Sequence, residues 1–143
     1  MKKKKAESRK TIQKRCDKLW SKAVKIAAGH KCQMCGQDDP EKTYNSHHIV
    51  ARKYKKYRWD LANGICLCYR CHKWYAHSDD YVAQLEWHYF IQWKHTNFMC
   101  ERYGAILNDI IHDVSQNPKS VKPLSIYEVR KIDEALKKAV GNG

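Results

Sequence analysis

Two Cys-x-x-Cys pairs constrain this chain more than any other feature. Cys32/Cys35 and Cys68/Cys71 bracket a His-His dipeptide at His47–His48, with Asn63 just ahead of the second pair and His72 directly after its last cysteine. Cysteines paired at this spacing suit a tetrahedral zinc ion whose four positions are all closed by thiolates. Such a site is structural, because no position is left for water. It would tie the loop before one short strand to the turn after another. A segment of this size buries little core of its own, so metal binding would supply much of its folding free energy.

Composition helps decide between zinc and disulfides. The basic N-terminus MKKKKAESRK is followed by no apolar leader core, and no apolar run approaches the roughly 20 residues of a membrane helix. We therefore expect an intracellular protein with no membrane partner. Thiols stay reduced there, so the seven cysteines point to a metal. The net charge of +13 and a sequence pI near 9.5 favour a polyanionic partner, commonly nucleic acid. A ribosomal-type or membrane-surface protein would share that balance.

Periodicity organises the flanks. Residues 1–7 form a basic tail. Residues 8–29 predict a basic amphipathic helix with Ile12, Cys16, Leu19, Trp20, Ala23, Val24 and Ala27 along one stripe and Gly29 as its stop. Its lysine face is either simply solvated or lies near phosphates. A metal module is expected over 30–78. Within it, 44–50 reads as a strand that turns His48 away from His47, and 65–68 reads as a second strand. Cys16 and Cys66 fit buried small side chains rather than ligands.

A helix is expected after Cys71, carrying His72, Trp74 and Tyr75. The remainder, 79–143, reads as a helical extension. Ser78 or Asp79 would cap a helix whose Tyr81, Val82, Leu85, Trp87, Tyr89, Phe90 and Trp93 are expected to pack inside. Thr96 or Asn97 would cap another, burying Met99, Ile106, Leu107, Ile110 and Ile111. A Ser125–Glu128 capping box opens a last helix with Ile126, Val129, Ile132, Leu136 and Val140 in register.

The phrases CQMC, HHI, LANG and LCYRCH together resemble the HNH endonuclease family, over about Lys31 to Asp80. The likeness is to its zinc-supported branch in phage and bacterial proteins. The leading CDKLWSKAV is further similar to phage recombination nucleases of the NinG type. The resemblance implies an α+β protein with a ββα-metal core that cleaves DNA, nicking it or cutting both strands, in a bacterial or phage-infected cytoplasm. A branched junction is the alternative substrate, as a recombination role would require. It implies that His47 and His72 ligate a catalytic divalent ion and that His48 is the general base. Asn63 would hold the intervening loop and fix the aim of His48. Mg2+ or Mn2+ is the implied ion, although imidazole ligands also suit Ni2+, Co2+ and Zn2+.

His77 follows His72 by five residues, which on a regular helix separates the side chains by about 140°. It is either a third ligand, if the helix ends first, or a cap for the next helix. His30, His88, His95 and His112 read as ordinary surface or core histidines. In the loop after the first strand, Arg52, Lys53, Lys55, Lys56 and Arg58 are expected along a DNA backbone, with Trp59 tucked inward. The C-terminal helices could form a homodimer, cap the core or contact a packaging or recombination complex. A non-catalytic zinc module that binds nucleic acid explains the cysteines and charge equally well. It leaves His47, His48, Asn63 and His72 unexplained. An RNase of the same fold is a third reading.

Overall fold

The computed structural model describes residues 5–95, 105–116 and 124–141. The expected cap at Thr96 or Asn97, Met99 and the side chain of Trp93 lie outside the described residues. The fold is a two-stranded antiparallel sheet held among helices. Helix α1, Arg9–Ala27, starts where Ser8 accepts a hydrogen bond from the Thr11 amide. Its buried stripe is Ile12, Cys16, Trp20, Ala23 and Val24, while Ala27 at the far end is exposed. Gly29 takes a φ of +64°, which ends the helix.

Strands β1, Tyr44–His48, and β2, Gly64–Cys68, pair with Tyr44 opposite Cys68 and His48 opposite Gly64. The first strand stops two residues short of the expected Val50, because the Asn63 side chain takes over the Val50 amide and carbonyl. The first cysteine knuckle leans on β2. The Gln33 amide donates to the Cys66 carbonyl, and the Gln33 side-chain oxygen accepts from the Cys66 amide.

The two faces of this hairpin carry different partners. Ser46 and His48 meet α1, where the Ser46 hydroxyl donates to the Ser21 carbonyl at 2.7 Å. Gly64 lies against the same helix so closely that a Cβ there would sit 2.4 Å from Val24 Cγ2. His47 faces the other way, toward a helical segment that opens as α2, Tyr69–Cys71, and widens into a π turn, His72–Ala76. Helix α3, Tyr81–Tyr89, follows. Asp80 caps it, not Ser78 or Asp79, by accepting from the Ala83 amide. Helix α4, Ala105–Gln116, covers the loop between the strands by packing Ile110 on Val50 and Ala62.

Helix α5, Ile126–Gly141, closes the core. Its capping box forms as expected: Ser125 Oγ accepts from the Glu128 amide, and Glu128 accepts from the Ser125 amide. Val129 and Leu136 join α1 and β2 in one buried cluster with Ile12, Cys16, Trp20, Ile65 and Leu67. Arg15 of α1 grips the buried Asp133 of α5 through two hydrogen bonds, at 2.9 and 2.8 Å. That guanidinium holds the Asp133 carboxyl below its ordinary value.

Two packing expectations are corrected. Trp87 and Ile91 are buried and Phe90 is partly so, but Tyr81, Val82, Leu85 and Tyr89 are 50% to 72% exposed. Helix α3 is apolar on more than one side, and Trp87 is its buried residue. Ile106 is likewise exposed, because α4 faces inward through Leu107 and Ile110.

Candidate active site

Cys32, Cys35, Cys68 and Cys71 present four sulfur atoms that all lie within 4.8 Å of one another. Gly36, at φ +77°, turns the chain so that its amide reaches the Cys32 carbonyl. Cys68 doubles as the N-cap of α2, its sulfur accepting from the Cys71 amide at 3.4 Å. A Zn–S bond of about 2.3 Å in a tetrahedron separates sulfurs by about 3.8 Å. Cys35 and Cys68 are 3.7 Å apart, so that pair already has the spacing a tetrahedral zinc requires. Burial, followed by the neighbouring Cys32, pushes the Cys71 thiol up. Crowded thiolates need a cation, and zinc supplies one.

The second cluster forms on the opposite face of β1 from α1. His47, His72 and His77 each offer a ring nitrogen within 4.8 Å of the others. The meeting of His72 with His77 depends on the π turn. The His77 amide donates to the His72 carbonyl five residues back, at 3.1 Å. This wider turn stacks positions i and i+5, where a regular α-helix would splay them. The two Nε2 atoms come within 3.0 Å, close to the spacing of adjacent imidazoles on one ion at 2.0–2.1 Å. Burial, reinforced by His77 and His72, lowers the His47 pKa to about 3, and burial lowers that of His72. Both rings are thus neutral and their lone pairs free for a metal. Three imidazole nitrogens suit a first-row transition-metal ion, and the cleft lies open beside them.

His48 sits across the strand in different company. Its ring stacks on Trp20 with centroids 3.8 Å apart and planes 11° from parallel. Its Nε2 lies 2.8 Å from the Arg58 carbonyl. A carbonyl can only accept, so Nε2 carries the proton and Nδ1 is left as the basic nitrogen. Burial lowers the His48 pKa and keeps the ring uncharged. Arg58 is itself anchored, since Asp17 of α1 accepts from its Nε and Nη2 and also from Trp59 Nε1.

Asn63 is fully buried. Its amide nitrogen donates to the Val50 and Tyr57 carbonyls while its oxygen accepts from the Val50 amide at 2.6 Å. Those three bonds hold Val50 and Tyr57, the second of them directly ahead of Arg58. All four site histidines line one cleft of about 590 Å³, together with Asp17, Trp20 and Arg52.

The basic loop divides. Arg52, Lys53 and Lys56 are exposed and Lys55 is half-buried, whereas the Arg58 guanidinium is committed to Asp17. Lys56 also lies 3.8 Å from Asp113 of α4. Trp59 is buried, as expected. His95 is a core histidine, with burial lowering its pKa to about 4. Sequence reasoning did not single out Trp20 and Asp17 for the site. Their polar or aromatic character at the edge of an apolar stripe was the one available signal.

Residues 32–78, 47 of the 143, match the family model for HNH endonuclease. The matched segment carries nuclease-type chemistry as its general implication. It spans both cysteine pairs, all four site histidines and Asn63, and it excludes α1. Nothing in it extends the likeness to phage recombination nucleases. No curated protein and no solved structure matches the chain. Among the described residues, no helix is long and apolar enough to cross a membrane.

Proposed function

We propose that this protein is a metal-dependent endonuclease that hydrolyses DNA phosphodiester bonds, nicking or cutting the duplex. One observation carries the reading. His48, its Nε2 held by the Arg58 carbonyl, lines the same cleft as three convergent imidazoles. A structural zinc module that only binds DNA has no use for that pairing.

His48 Nδ1 would take the proton from the attacking water. Trp20 and the Arg58 carbonyl hold the ring while it does so, and Asn63 and Asp17 hold Arg58. His47 and His72, with His77 as a third ligand, would hold a divalent ion that neutralises charge on the phosphate and stabilises the leaving alkoxide. Three nitrogen donors suit Mn2+, Ni2+, Co2+ or Zn2+ better than Mg2+, which prefers oxygen. Mn2+ is the ion we assign among the two that the resemblance implies. Arg52, Lys53, Lys55 and Lys56 would contact the phosphate backbone without reading sequence. Arg58 instead serves the base.

The test is relaxation of supercoiled plasmid with Mn2+, comparing the native chain with His48→Ala. We expect nicking to fall by about 10²- to 10⁴-fold with DNA affinity retained. Equal nicking by both proteins would trace the activity to a contaminant. No nicking by folded, metal-loaded native protein would leave the binding-module reading.

A further inference from the structure

The N-terminal helix α1 lies outside the segment matched to the nuclease family, yet it forms one wall of the cleft through Asp17, Trp20 and Ser21. Its lysines are not scattered. Lys10, Lys14, Lys18 and Lys22 recur every four residues. At about 100° per residue, and with Asp17 as origin, they fall near 20°, 60°, 100° and 140°. The buried Ile12, Ala23, Cys16, Trp20 and Val24 fall between about 220° and 340° by the same geometry. The four lysines therefore make one ridge on the solvent side of the helix, with Lys18 and Lys22 level with the cleft residues Asp17, Trp20 and Ser21.

All four are exposed, and none has an acidic partner among the described residues. The single acid of α1, Asp17, is engaged by Arg58 and Trp59. Like charges four apart on a helix repel each other and destabilise it. Helix α5 shows the ordinary solution: its basic residues alternate with Glu128, Asp133 and Glu134, and Lys137 pairs with Asp133. A ridge left uncompensated is stabilised when an external polyanion covers it.

We propose that the Lys10–Lys14–Lys18–Lys22 ridge of α1 is a DNA-backbone contact surface that continues the histidine cleft along the duplex. The ridge rises about 6 Å per step and about 18 Å in all. That length matches roughly five base pairs at 3.4 Å per phosphate of one strand. Arg52 lines the cleft as well, so a scissile phosphate seated there would be flanked by basic loop and basic helix. The inference rests on the DNA-cleaving reading above and adds a surface that the matched domain does not contain.

The test compares two triple variants that remove the same charge. Lys14→Gln/Lys18→Gln/Lys22→Gln alters the ridge, and Arg130→Gln/Lys131→Gln/Lys138→Gln alters α5. Glutamine keeps helix propensity close to that of lysine and arginine. Duplex binding is followed by fluorescence anisotropy over a salt series without added catalytic metal, and plasmid cleavage is followed separately with Mn2+. The ridge variant should lose about tenfold or more in affinity at physiological salt. Its dependence of log K on log salt should flatten by about 2 to 3, near 0.9 per phosphate contact. The α5 variant should stay within about twofold of the native chain, a distant charge contributing little through the screening atmosphere. An unchanged ridge variant, or an equal loss in both, overturns the proposal. Absence of Mn2+-dependent cleavage with the ridge effect intact would sink the nuclease reading and leave the DNA surface standing.

Discussion

The two metal-ligand clusters sit close in sequence and differ in every physical respect. In the cysteine cluster three of the four residues are buried, all four donors are soft thiols, and the knuckle backbone is pinned by hydrogen bonds to β2. In the histidine cluster the rings are half-buried to exposed, and the cleft is open beside them. One geometry closes coordination and locks chain segments together. The other leaves positions for water and phosphate. On the proposed reading, stability and chemistry would fall to separate ions, and each could be perturbed alone.

Cys68→Ser is the most damaging break. It removes one thiolate ligand while the serine hydroxyl can still cap α2, so the effect reads the metal rather than the cap. Structural zinc contributes about 10–16 kcal/mol of apparent binding energy in small modules, more than most domains possess in total. We expect the variant to lose its cooperative thermal transition and to retain less than one equivalent of zinc by atomic absorption. A normal melting curve would merge the two clusters into a single class of dispensable site.

How far this contrast could be read from sequence depends on the kind of local order. The two-residue spacing of each cysteine pair dictates sulfurs that converge, so the zinc cluster was legible. Strand alternation was enough to send His47 and His48 to opposite faces. The capping box at Ser125 is a local motif and was legible for the same reason. His77 was not, because regular helix geometry points it away from His72. Only a π turn, with its five-residue hydrogen bond, brings the two together. Trp20 and Asp17 were hidden by distance along the chain. Their roles exist only because α1 docks on the hairpin where Gly64 lacks a side chain. Aromatic density in α3 does not mean burial: Tyr81, Leu85 and Tyr89, four apart, trace an exposed face.

His77→Ala sharpens the contrast from the other side. Its loss should leave melting and zinc content unchanged while raising the Mn2+ concentration for half-maximal cleavage by about ten- to a hundredfold. That is the range found when metal sites lose a supporting group. The rate at saturating Mn2+ should recover most of its native value, since His47 and His72 remain. Titration of plasmid relaxation against Mn2+ reads this directly. A rate that stays low at every Mn2+ concentration would instead place His77 in proton transfer.

The smallest effect concerns the helical buttress that carries α1, and through it Trp20 and Asp17, onto the cleft. Arg15 holds the buried Asp133, which lowers the folded-state carboxyl pKa relative to the unfolded value near 3.9. A depressed carboxyl contributes stability that is fully present above the unfolded value and is lost as pH falls through the folded one. Thermal stability should therefore decline below about pH 4 in part through this pair. Asp133→Asn should flatten that acid limb and, at neutral pH, remove about 1–2 kcal/mol, because Arg15 keeps a second partner in Glu7. For a chain of this size that is a few degrees in Tm. Zinc content should not change, since the knuckle is built on β2 rather than on α5. If zinc were lost together with the buttress, the thiolate cluster would depend on the helices around it, and the division between a self-supporting scaffold ion and an exchangeable one would fail at its first term.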